Sequence, residues 1–146
     1  MNLSKNLTLA EATTSQTAVR HGLNNKAPAF VIENLKLIAE KVFQPIREHF
    51  KKPIRVSSGY RSKELNAKVG GSKNSQHITG QALDLQGTNG ITNRQIFDYI
   101  KDNLEFDQLI NEYPNKYGEP SWVHVSYSRH KNRKQVFSRG VKKTFK

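Results

Sequence analysis

The chain has no cysteine, which excludes a disulfide framework and any thiolate metal site. Long apolar runs are also missing. No segment approaches the length of a membrane span, and Met1 to Asn6 lacks the apolar stretch of a secretion signal. The sequence therefore reads as a protein made in the cytoplasm, which must be released or delivered if its target lies outside the membrane. Acidic residues are scarce, with 12 Asp plus Glu against 24 Lys plus Arg, a formal charge of +12. Such an excess suits a polyanionic partner, either nucleic acid or the phosphate- and carboxylate-rich polymers of bacterial walls, and it also serves solubility alone. No recognisable basic helix or aromatic-basic motif accompanies the charge, which argues against nucleic acid. Repeats and low-complexity tracts are absent as well.

What remains is a chain of one-domain length, 146 residues with 35% apolar content, expected to be a monomer. Thr8 and Glu11 stand at capping-box spacing and predict a short helix from about Leu9. Val31, Leu35, Ile38 and Val42 recur at helical spacing, and Phe43, Ile46 and Phe50 continue the stripe. Pro45 predicts a kink or a restart in that helix. Pro53 to Ser58 reads as a strand, Ser62 as the cap of a short helix ended by Gly70-Gly71, and Thr92 with Gln95 as a second capping box. Ile96, Ile100 and Leu104 give that helix its apolar face. Phe106 to Ile110 reads as a strand with Glu112 at its end, and Val136-Phe137 as a final edge strand whose charges face water.

Chemistry concentrates in Ser75 to Leu85. Ala82-Leu83-Asp84-Leu85 reads as a buried strand, and a carboxylate inside such a strand demands a neutralising partner. His77 lies seven positions upstream, across Gly80, where the backbone can turn. A second histidine sits in the apolar strand Trp122 to Tyr127, where alternation puts Trp122, His124 and Ser126 on one face. Two His and one Asp form a nitrogen/oxygen set that leaves a fourth position for water, as catalytic zinc requires. Taken singly, each residue admits a plainer role: a loop histidine, a satisfied sheet histidine, a turn-forming aspartate. His21, His49 and His130 belong to no such constellation.

Ser58-Gly59-Tyr60-Arg61, Val69-Gly70-Gly71-Ser72, Ser75-Gln76-His77 with Gly80, Ala82 and Asp84, and Trp122 to Ser126 together resemble the zinc D-Ala-D-Ala carboxypeptidase family. That family includes phage peptidoglycan endopeptidases and is related in fold to the hedgehog signalling domain. The resemblance runs in order over roughly Leu7 to Tyr127. It implies zinc on His77, Asp84 and His124, Arg61 gripping a substrate carboxylate, and Ser75 and Gln76 shaping the pocket. It further implies hydrolysis of an amide bond in peptidoglycan stem or cross-link peptides, by a phage or prophage type of enzyme that reaches the wall after release.

Several family members carry the catalytic acid three residues before the last histidine, where this chain has Ser121. Other branches place it at the end of the preceding strand, and Leu109-Ile110-Asn111-Glu112 looks like that arrangement. Glu112 is therefore the first candidate for general base, with Glu119 as its rival. Two other classes stay open: a zinc-bearing binding module without hydrolysis, and a basic nucleic-acid-binding domain. The expected architecture is α+β, a small, mostly antiparallel sheet with helices on one side and a zinc cleft on its face. It forms one domain over residues 1–146, with a core of about 7–127 and a basic segment over 128–146. That segment would hold the protein to an anionic wall or serve as a solubilising frayed end.

Overall fold

The apolar alternation seen in the sequence becomes a five-stranded sheet with one greasy face. The computed structural model describes residues 1–140. A small hairpin of β1 (Asn2–Ser4) and β2 (Leu7–Thr8) leads into α1 (Leu9–Thr13), whose start carries the full Thr8/Glu11 capping box. α2 (Gln16–Arg20), capped by the Ser15 hydroxyl, ends at His21 beside Gly22, where the sequence suggests a helix end. Leu3 and Leu7 are buried in the common hydrophobic core.

The main helix is α3 (Ala29–Ile38), a wide π-helical turn (Ala39–Phe43), and α4 (Gln44–Phe50). In the wide turn the Gln44 N–H reaches the Ala39 carbonyl. The restart expected near Pro45 therefore takes the form of a local change of hydrogen-bond register rather than a break. Val31, Leu35, Ile38, Val42, Phe43 and Ile46 are all buried along this helix. Each such side chain contributes about 1.5–3 kcal/mol on leaving water.

The sheet runs β3 (Arg55–Ser58), β4 (Ala82–Gln86), β6 (Trp122–Ser126), β5 (Gln108–Glu112), β7 (Gln135–Arg139). Its pairs are antiparallel except β5 with β7, which is parallel. Between β3 and β4 lies α5 (Lys63–Lys68), capped by Ser62; between β4 and β5 lies α6 (Asn93–Asn103), opened by the Thr92/Gln95 capping box. Leu83, Leu85, Leu109, Val123 and Val125 share one core with the helices. Alternation then turns Asp84, Ile110, Glu112 and His124 to the opposite face.

Two strand boundaries and the basic segment differ from expectation. β3 begins at Arg55, where its first rung meets Gln86, rather than at Pro53, which has no N–H to give. β5 begins at Gln108, whose N–H goes to the Ser126 hydroxyl, and it takes in Asn111 and Glu112. The edge strand expected at Val136-Phe137 is present, but not all of the charges around it face water. That strand is β7, and two charges of the basic segment turn inward: Arg133 onto Asp107 and Arg139 onto Glu112. The physical reason is the burial of those two acids, which require cations at close range. Lys142, Lys143 and Lys146 lie outside the described residues.

Candidate metal centre

β4 and β6 pair so that Asp84 stands directly across from His124, with both side chains on the face away from the core. His77 comes to them on a series of tight turns. The Ser75 hydroxyl accepts its N–H at 3.2 Å, and its carbonyl accepts the Gly80 N–H at 3.3 Å. Gly80 sits at φ +75° against α3, where an added Cβ would lie 2.8 Å from Val31. Only glycine closes this turn so near the helix.

The Nδ1 of His77 lies 2.7 Å from the Gly59 carbonyl oxygen. A carbonyl can only accept, so Nδ1 carries the proton and Nε2 of the neutral ring presents a lone pair. That Nε2 is fully buried and has no hydrogen-bond partner. It stands 3.3 Å from Asp84 Oδ1, and His124 Nδ1 stands 3.1 Å from the same oxygen. One donor atom from each of the three residues lies within 4.8 Å of the others. A buried lone pair aimed at a buried carboxylate is unfavourable unless a cation joins them, and the arrangement therefore fits a divalent metal. Nitrogen and oxygen donors with an open position suit zinc. Burial alone would raise the Asp84 pKa, but positive charge at the His77 ring position and the His124 hydrogen bond outweigh it, holding this carboxyl well below the usual range, as a cation at the same point would.

Arg61 lies beside the cluster with most of its side chain buried. Its Nη2 donates to Asp84 Oδ2 at 3.3 Å, Nη1 to Asn66 Oδ1 at 3.2 Å and Nε to Ser58 Oγ at 3.0 Å. Desolvation lowers its pKa, while the charges of Asp84 and Glu112 act in the opposite direction. Ser75, Gln76, Arg61 and Glu112 line one cleft of about 610 Å³ with the three cluster residues. Ser75 is already used by the His77 backbone, and Gln76 Nε2 donates to Asp107 Oδ2 at 3.0 Å.

The two candidate acids separate cleanly in space. Glu112 is buried at the end of β5 and faces the cleft. Glu119 instead accepts the Arg94 N–H at 3.2 Å, in the first turn of α6, and is not part of the cleft wall. His49 stacks on Tyr99 with ring centroids 4.1 Å apart, and neither it nor His21 or His130 lines the cleft. Sequence reasoning missed Arg133, Arg139, Asp107 and Asn66. The last holds Arg61 and the Ser72 carbonyl together, and no local pattern marks any of the four.

No helix among the described residues is long and apolar enough to cross a membrane. A search of curated proteins returned no match. The model of the Peptidase M15 family matches residues 5–126. That span contains His77, Asp84 and His124 with Arg61 and Glu112, and the chain belongs to the Peptidase M15 family.

Proposed function

We propose that the protein is a zinc-dependent peptidase that hydrolyses an amide bond in peptidoglycan stem or cross-link peptides, either trimming a terminal D-alanine or cutting internally. The observation that carries this reading is the orphaned, buried Nε2 of His77 beside Asp84 and His124, in a cleft shared with the buried carboxylate of Glu112. A zinc ion held by those three residues supplies a Lewis acid and lowers the pKa of water.

The chain's own residues do the rest. Glu112 takes a proton from the attacking water and hands it to the departing amine. Arg61 orients Asp84 through its Nη2 contact with Oδ2. The guanidinium hydrogens left free by Ser58, Asn66 and Asp84 are offered to a substrate carboxylate or carbonyl. Ser75 and Gln76 border the position of the substrate backbone. The protein acts as a monomer on the wall after release or delivery, in the manner of a phage or prophage enzyme, and its +12 charge favours contact with anionic wall polymers.

The test is digestion of purified peptidoglycan with identification of released peptide termini by mass spectrometry. Chelator-treated protein and Glu112→Gln run alongside. New termini are expected from the native protein, with the rate falling about 10²- to 10⁴-fold in Glu112→Gln. Folded, zinc-loaded protein that releases nothing from several wall chemotypes would overturn the reading.

A further inference from the structure

Glu112 is buried, and both of its oxygens are held by a residue that the family match does not include. Arg139 Nε donates to Oε1 at 3.1 Å and Nη2 donates to Oε2. The matched region stops at residue 126, so this clamp lies beyond the matched span. Its backbone is fixed with care. β7 follows β5 through five parallel rungs, the last of which pairs Glu112 with Arg139. The Arg139 carbonyl then accepts the Tyr113 N–H at 2.7 Å. Tyr113 has φ 47°, and its ring lies 5.2 Å from that of Trp122. Gly140 packs close to the same ring, where a Cβ would come within 2.6 Å of it. Core packing does not account for this effort, because all five residues of β7 are exposed.

A guanidinium fork binds a carboxylate through two parallel bonds and so fixes the plane of the group as well as its charge. We infer that Arg139 is a positioning residue that holds the Glu112 carboxylate in one plane, with the lone pairs it leaves unused available to the cleft. This rests on Glu112 acting as the general base. Arg61 does not serve this purpose, since its contacts go to Asp84, Asn66 and Ser58.

The test compares kcat and KM on a soluble muropeptide substrate for native protein, Arg139→Gln, Arg139→Lys, Glu112→Gln and the Glu112→Gln/Arg139→Gln double variant. Zinc content and thermal melting are measured on each. In Arg139→Gln, kcat is expected to fall about 10- to 100-fold, the cost of a misplaced base, with zinc content unchanged. KM stays within about threefold, because no ground-state binding is removed. Added guanidinium ion restores part of the lost kcat. On the Glu112→Gln background the same change costs nothing further.

Arg139→Lys keeps the charge that a buried Glu112 needs but cannot form two parallel bonds. It decides the matter if Arg139→Gln does not fold, since a lower kcat in folded Arg139→Lys is expected and a native kcat overturns the inference. A native kcat in folded Arg139→Gln, a loss confined to KM, or an equal loss on the Glu112→Gln background each overturn it too. If Glu112→Gln itself keeps the native kcat, the general-base reading fails. If it falls while Arg139→Gln does not, only the role of Arg139 fails.

Discussion

β6 and β7 lie on the two sides of β5, and they are opposites in burial. β6 is buried from Val123 to Ser126, whereas every residue of β7 is exposed. Both nevertheless reach the same cleft, β6 with Trp122 and His124 and β7 with Arg139. In β6 the site and the core are inseparable, because the alternation that buries Val123 and Val125 also aims His124. In β7 a functional side chain is presented almost without apolar packing, by backbone rungs and a charge pair. Stability and site geometry are therefore coupled on one flank of β5 and nearly independent on the other.

The largest test of this contrast is His124→Ala. It is expected to abolish zinc retention after dialysis and to lower peptide release about a thousandfold or more, the several kcal/mol that a bound metal supplies. Elemental analysis and the wall-digestion assay read both, and a variant that retains stoichiometric zinc breaks the assignment. Next comes a matched pair, Val123→Ala in β6 and Val136→Ala in β7. The first should cost about 2 kcal/mol in urea unfolding, from lost transfer energy and a residual cavity. The second, at a half-exposed position, should stay within about 0.5 kcal/mol. Equal losses would mean that β7 belongs to the core after all.

The smallest effect concerns the other inward charge of the extension. Hydrogen bonds from Arg133 outweigh the opposing effect of burial and bring the Asp107 carboxyl down to about 2. The unfolded value lies near 4, so this carboxylate's contribution is present above about pH 4 and is lost as pH falls through about 2. Arg133→Gln should thus melt slightly below the native protein at neutral pH, and the gap should close in strong acid. A gap that persists below pH 2 would place the role of Arg133 elsewhere.

The grouping of His77, Asp84 and His124 was legible in part, since each lies in a locally readable element and the family resemblance joins them. His77 and Asp84 share one short stretch, and His124 sits in an alternating strand whose faces can be read off directly. The capping boxes at Thr8 and Thr92 were legible for the same reason, since both partners of each box lie within four residues. The extension was legible only as an edge strand at Val136-Phe137, not in its pairing. A parallel rung between Glu112 and Arg139 joins residues with no periodic relation, and nothing in Gln135 to Arg139 states which strand it will follow. The same limit left Glu112 and Glu119 as rivals. Only the register of β5 against β6 and the position of α6 turn one toward the cleft and the other toward Arg94.

The parallel run of β7 along β5 also sets an order of mechanical release. Because the strands point the same way, a load applied beyond residue 140 reaches the Arg139 rung first and the Gln135 rung last. β7 would peel like a zipper from the Glu112 end, while the buried strands behind it stay shut. A pull from that end would thus part Arg139 from Glu112 before it reached the rungs between β5 and β6.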